Sequence, residues 1–320
     1  MRVLVTGGAG YIGSNLVDRL VREGHDVAVL DDLSTGSEQN LRGIRPKIEM
    51  VVGTILDEPT VRGMVKDAEL VYHLAAAVGV MNIVRQPLQS IVTNARGTEI
   101  VLDACAASGT RVLVASTSEI YGKTTKMPMS EDDDRVLGST TVSRWSYSTA
   151  KALDEHLALE HSRNGLPVSI VRYFNSYGPR IDDRGYGSVV ANFFRQALAG
   201  EPITLHGDGS QTRCFTFVDD TVDGTVRAAT MDAALGSVFN VGNDSEITVA
   251  ELAALVKRVT GSNSDVVSVS YESRFGARFE DTKRRVPDLS RAASVLGYRP
   301  SVALEDGLRR TLEWWRQEHQ

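Results

Sequence analysis

Short runs of consecutive apolar residues recur through the first half of the chain. Residues 2–6, 27–30, 48–52, 70–74, 112–115 and 168–173 are such runs. They are too short for buried helices, and being apolar on both faces they suit strands covered on both sides. Between them, apolar positions repeat every three to four residues. Leu16, Leu20 and Val21 share a helical face, and 94–107 and 148–163 are the clearest long helices. Strands alternating with helices predict an α/β fold with a doubly wound parallel sheet of the Rossmann type.

The alternation breaks after residue 175. A turn at 175–180 precedes a helix at 188–199, a strand at 203–206, a polar loop at 207–213 and a strand at 214–218. Residues 238–241 read as a buried strand returning to the first domain. Thr248 with Glu251 three residues later predicts a capping box opening a helix to residue 260, and an amphipathic helix spans 303–317. The expected organisation is a domain at 1–174, a return segment near 233–247, and a smaller interleaved C-terminal lobe within 175–320.

The chain start carries the first chemistry. Gly7, Gly10 and Gly13 lie between a strand and a helix, and Asp31 closes the second strand. Glycines there make a tight turn, let the backbone approach a pyrophosphate and let helix pack on strand, while the helix N-terminus favours the negative charge. A carboxylate at Asp31 suits ribose hydroxyls and repels a 2′-phosphate, so NAD is expected over NADP.

Composition narrows the classes. A net charge of −6 and a pI near 5.6 argue against a nucleic-acid or anionic-membrane partner, and 42% hydrophobic residues over 320 positions allow a sizeable core. No apolar run reaches membrane-spanning length, and the first strand begins at residue 2, so no signal peptide is expected. Two cysteines, Cys105 and Cys214, read as buried thiols of a cytoplasmic protein and provide no metal-site spacing. The acidic run from Glu131 to Asp134 is expected to be a solvated loop.

Residues 116–151 hold the candidate catalysts. Thr117 offers a hydroxyl, Glu119 an acid, and Tyr147 and Lys151 stand four apart, on one face of a helix. Lys151 beside Tyr147 would favour the phenolate, a general base for a sugar hydroxyl. His73–Ala76, Ser116–Ser118 and Arg172–Asn175 all follow predicted strands and are expected to border one cleft.

With these motifs in view, the chain resembles the extended short-chain dehydrogenase/reductases that act on nucleotide sugars. The resemblance covers essentially the full length and rests on TGGAGYIG, DDLSTG, HLAA, Asn94, STSEIYG, YSTAK, RYFNSYGPR, GDGSQTRCFTFVDD and RRVPD. It implies that Gly7, Gly10, Tyr11, Ile12, Gly13, Asp31, Asp32, Ser34, Thr35 and Gly36 bind NAD. Leu74, Ala75, Ala76 and Asn94 would line the rest of the cofactor site. Tyr147 would be the base, Lys151 would hold the nicotinamide ribose, and Thr117 would hydrogen-bond the reacting hydroxyl. Asn175, Arg213 and Arg285 would hold the nucleotide diphosphate and sugar. Where the family often has an acid for adenine, this chain reads Gly53-Thr54-Ile55, which weakens that contact.

The resemblance also limits the reaction. Ser118-Glu119 stands where related dehydratases have an Asp-Glu pair, so dehydration is disfavoured. Ser118, Glu119 and Arg285 resemble enzymes that handle UDP-glucuronate. Arg285 would pair with the substrate carboxylate, and Glu119 beside it would be repulsive unless protonated or water-bridged. The expected activity is a UDP-sugar 4-epimerase acting on UDP-glucuronate or UDP-glucose through a 4-keto sugar. UDP-glucuronate decarboxylation is the alternative. A non-catalytic NAD sensor is argued against by Thr117, Tyr147 and Lys151. The resemblance further implies a C2 homodimer packed through the helices 94–107 and 148–163.

Overall fold

A computed structural model describes residues 1–79, 86–181, 188–270 and 282–318. Seven parallel strands form the central sheet. They are β1 (Arg2–Thr6), β2 (Asp26–Asp31), β3 (Ile48–Val52), β4 (Leu70–His73), β5 (Arg111–Thr117), β6 (Val168–Tyr173) and, from far along the chain, β11 (Val238–Val241). Their spatial order is β11-β6-β5-β4-β1-β2-β3. The order reverses between β1 and β4, which leaves a crevice beyond their carboxyl ends.

The strands feed a core on each face. Val3 and Val5 of β1 point into one apolar cluster and Leu4 into the other. On the first face lie α1 (Tyr11–Arg22) and α6 (Val218–Thr230). On the second lie α2 (Glu58–Lys66), α3 (Pro87–Ser108) and α4 (Arg144–Arg163). Pro87 opens α3, where its missing N–H costs nothing, and Gly109 closes it in the left-handed region at φ 69°.

The first core continues without a break into the C-terminal part. Phe193 and Phe194 of α5 (Val189–Ala199), Leu252 and Val256 of α7 (Val249–Thr260), and Leu308, Leu312 and Trp315 of α9 (Leu304–Glu318) belong to the same cluster as Val3 and Val29. A short helix, α8 (Ser290–Leu296), packs against β11 and buries Ala292. Three two-stranded pairs complete this part: β7 (Ser176–Tyr177) with β10 (Thr216–Phe217), β8 (Ile203–His206) with β13 (Val266–Val269), and β9 (Thr212–Cys214) with β12 (Glu246–Thr248). The capping box at Thr248 and Glu251 forms as expected.

Three expectations shift. The strand expected over 214–218 is interrupted at Phe215, and α6 already begins at Val218. The helix expected from residue 148 starts at Arg144, placing Tyr147 inside its first turn. Within the acidic run, Glu131 is buried rather than solvated, because its carboxylate accepts the Asn240 N–H at 2.7 Å.

Candidate active site

The crevice at the strand ends is a cavity of about 410 Å³. Its floor is the turn after β1. Gly7 takes φ +74°, and a Cβ there would lie 2.6 Å from the Ala75 nitrogen. A Cβ on Gly13 would lie 2.0 Å from the Gly7 carbonyl oxygen, so only glycine lets α1 approach this closely. The result is a backbone cradle at a helix N-terminus that fits a pyrophosphate.

Asp31 ends β2 beside this cradle. Its Oδ2 accepts the Ala9 N–H at 2.9 Å and its Oδ1 the Leu33 N–H at 2.8 Å. Burial pushes its pKa up, and those backbone donors only partly oppose it. Each carboxylate oxygen retains lone-pair capacity for a ribose hydroxyl. Gly7, Gly10, Tyr11, Ile12, Gly13, Asp31, Asp32, Ser34, Thr35, Ile55, Leu74, Ala75 and Ala76 all line the cavity.

Three expected cofactor residues stand behind the lining. Thr54 accepts the Leu56 N–H at 3.2 Å and shapes its own turn. Asn94 accepts the Ala77 N–H at 2.7 Å and donates to the Ala77 carbonyl at 3.2 Å, bracing the loop after β4. Gly36 packs its backbone against Asp31 and Ala9, where a Cβ would lie 2.9 Å from Asp31 Oδ1.

At the other end of the cavity, Thr117, Tyr147 and Lys151 converge. Thr117 caps the 3₁₀ turn Ser118–Tyr121 by accepting the Glu119 N–H at 3.2 Å, and Ser148 ties that turn to α4 by donating to the Glu119 carbonyl at 2.8 Å. Thr117 also hydrogen-bonds the Tyr147 phenol. Burial raises the Tyr147 pKa well above the usual phenol value, and the charges of Glu119 and Asp154 add to that. Arg144 and the Thr117 hydrogen bond oppose it. The Lys151 ammonium forms an ion pair with Asp154 Oδ2 at 2.8 Å, which blunts its expected pull on Tyr147. His73, hydrogen-bonded by Thr6 and Thr98, is held neutral by burial and by Lys151, with its pKa lowered to about 3.

Glu119 lies between two arginines. Arg285 Nη1 is 2.8 Å from Oε1, and Arg144 Nη2 is 2.5 Å from Oε2. Burial alone would raise the Glu119 pKa, but the charges of Arg285 and Arg144 outweigh it and lower the value to about 2. Glu119 is therefore ionised at neutral pH, and its charge is compensated by arginine rather than by a proton. Arg285 arrives on a strap, residues 282–288, laced down on both sides. The Lys283 carbonyl accepts the Thr212 N–H at 2.9 Å, the Val286 carbonyl accepts the Met129 N–H at 2.8 Å, and Thr282 donates to the Gly122 carbonyl at 3.0 Å. Neighbouring Arg284 is exposed and pairs with Glu246 instead.

Arg213 lies on β9, mostly buried, and donates to the Thr212 carbonyl at 2.7 Å and the Lys283 carbonyl at 3.4 Å. Asn175 follows β6, and its Oδ1 is buried without a hydrogen-bond partner among the described residues. Ser118 is buried at the head of its turn. Ser118, Glu119, Asn175, Arg213 and Arg285 thus stand outside the cavity lining.

Sequence reasoning missed some of the lining and what lies behind it. Ser176 faces the cavity unforeseen, next to Ser116 and Tyr173 of the segments expected to border it. Beneath them Arg172 forms a two-pronged pair with Glu155, at 3.0 and 2.7 Å, and donates to the Tyr121 hydroxyl at 2.9 Å. Tyr121 in turn donates to Asn240 at 2.7 Å. Polar residues inside otherwise apolar strand and helix patterns were the available signal.

A glycine cradle at the sheet's switch point, opening onto a Thr–Tyr–Lys set, defines a dinucleotide-dependent enzyme of the Rossmann class. The chain belongs to the NAD dependent epimerase/dehydratase family, which residues 3–242 match, and its cofactor is NAD. A UDP-N-acetyl-alpha-D-glucosaminuronate decarboxylase from Bacillus cytotoxicus is 40% identical over 99% of this chain and 98% of its own. UDP-glucuronic acid decarboxylase 1 from Xenopus tropicalis is 34% identical over 99% of this chain and 72% of its own. Among solved structures, UDP-glucose 4-epimerase from Thermotoga maritima superposes with a TM-score of 0.91, at 33% identity and with 100% of both chains covered. Among the described residues, no helix is long and apolar enough to cross a membrane.

Proposed function

We propose that the protein decarboxylates a UDP-hexuronate through a transient 4-keto sugar. What carries this reading over 4-epimerisation is the similarity along nearly the whole chain to proteins named as decarboxylases of UDP-glucuronate and its N-acetylamino counterpart. The ionised Glu119 with two guanidinium groups, near enough to Tyr147 for its charge to act there, supports it, since such a site suits a sugar bearing a carboxylate.

Tyr147 takes the proton of the C4 hydroxyl, which Thr117 orients by hydrogen bonding. NAD, when bound, would supply reversible hydride transfer at C4. A ketone at C4 is β to the C6 carboxylate. The electron pair of the C5–C6 bond then passes into a C4–C5 enolate as carbon dioxide leaves, C5 gains a proton, and Tyr147 returns its proton to O4. Glu119, with its pKa near 2, is not the donor of the C5 proton at neutral pH. Its part is to hold Arg144 and Arg285 at the sugar. Lys151 would hold the nicotinamide ribose, and Asn175 and Arg213 the diphosphate end. Residues 1–174 would form the cofactor domain and most of 175–320 the sugar-nucleotide lobe.

Incubation with NAD and UDP-glucuronate or UDP-N-acetylglucosaminuronate, followed by NMR, tests the reaction. A UDP-pentose or its N-acetylamino equivalent, with release of carbon dioxide, is expected. The C4 epimer with its carboxylate intact would restore the epimerase reading, which the likeness to the Thermotoga epimerase favours. A homodimer through α3 and α4 belongs to the same proposal. Leu88, Ile91 and Val92 of α3 and Leu153 of α4 stand exposed on adjacent helices.

A further inference from the structure

Tyr147, Lys151 and Asp154 lie at positions i, i+4 and i+7 of α4, one stripe along a single helix face. Asp154 is completely buried, and neither of its carboxylate oxygens has a hydrogen-bond partner among the described residues. A carboxylate in that position is costly unless it answers a charge, and the charge it faces is the equally buried Lys151, at 2.8 Å. Neither the glycine cradle nor the Glu119 site uses Asp154.

We propose that Asp154 is a positioning residue for the Tyr147–Lys151 pair: by holding the Lys151 ammonium in a buried ion pair, it cancels part of the positive field on the Tyr147 phenol and so sets the pH at which that phenol titrates. The inference rests on Tyr147 being the proton-transferring group. Other charges act on the same phenol. Glu119 faces it from the turn after β5 and Arg144 from the first turn of α4, while Arg285 answers Glu119 from the strap. Thr117 contacts it from β5, and His73 on β4 lies within the field of Lys151 but is neutral. Asp154 is the acidic member of this set that meets the lysine directly, so its removal leaves Lys151 to act on Tyr147 uncompensated. Tyr147 needs both states, phenolate to take the O4 proton and phenol to return it. A site with an unanswered lysine favours the first at the expense of the second.

The test needs no sugar substrate. The NAD-loaded protein and its Asp154→Asn variant are titrated by ultraviolet tyrosinate absorbance, each against the same protein carrying Tyr147→Phe. The Tyr147 transition is expected about one pH unit lower in Asp154→Asn. Asp154→Ser serves as a second neutral variant, with circular dichroism to confirm folding. A transition that stays put or rises would overturn the proposal. So would the absence of any Tyr147 transition in both proteins across the range where they stay folded, or loss of the fold in both neutral variants, which would make Asp154 only a packing counter-ion. If UDP-hexuronates prove not to be substrates, the titration still decides the role of Asp154.

Discussion

Glu119 shows how far a residue's chemistry depends on what surrounds it. The sequence marks it as an acid beside a reacting centre. Only the placement of Arg144 and Arg285, 25 and 166 residues away, makes it a permanent anion. Its pKa is lowered from 4.5 to about 2, so it stabilises the fold fully above pH 4.5 and loses that contribution as pH falls toward 2. The shift corresponds to on the order of 3 kcal/mol. Glu119→Gln should accordingly lower the denaturant midpoint at pH 7, and the gap to the parent should narrow in measurements approaching pH 3. A gap independent of pH would contradict the ion-pair account. Next to it, Tyr147→Phe should abolish turnover while NAD stays bound, as fluorescence titration of the cofactor would report. Near-parent turnover would remove Tyr147 as the base.

At the scale of elements, the cofactor half was readable because its instructions are local. Strand, glycine turn, helix and terminal acid follow one another within thirty residues, and each has a short-range physical meaning. Gly13→Ala is expected to weaken NAD binding at least tenfold, since its Cβ would fall 2.0 Å from the Gly7 carbonyl and push α1 off the cradle. Isothermal titration with unchanged affinity would refute that. The buried Arg172–Glu155 pair is a non-local device that pins α4 to β6 beneath Tyr147. It was not legible, because an arginine in a buried strand has meaning only once its partner on another element is known. Glu155→Gln leaves Arg172 buried without a countercharge and should cost about 3–5 kcal/mol in chemical denaturation. The same limit explains why Glu131 was misread. A run of acids looks solvated until the edge strand β11 supplies the Asn240 amide that one of them accepts.

At the scale of the whole molecule, a single apolar cluster runs from β1 through α6 into α7 and α9, so the C-terminal part shares its core with the sheet. The sequence could place the strand at 238–241, but not the strand–strap lacing around Arg285. That lacing uses backbone hydrogen bonds, which carry no side-chain signature. The exposed apolar positions of α3 and α4 belong to this scale as well. Leu153→Glu, on α4, should convert the proposed homodimer to monomer in analytical ultracentrifugation, while a parent that is already monomeric at micromolar concentration would remove the dimer.

The strap has a consequence for the order in which this enzyme comes into being. The glycine cradle is built from the turn after β1 and the loop after β4, close together in the chain, whereas Arg285 reaches Glu119 only after residues 282–288 have been stitched between β9 and the loop at Met129. Until the strap docks, Glu119 lacks one of its two counter-ions and is pushed toward its protonated form. The charge state of one glutamate thus records whether the last part of the chain has arrived.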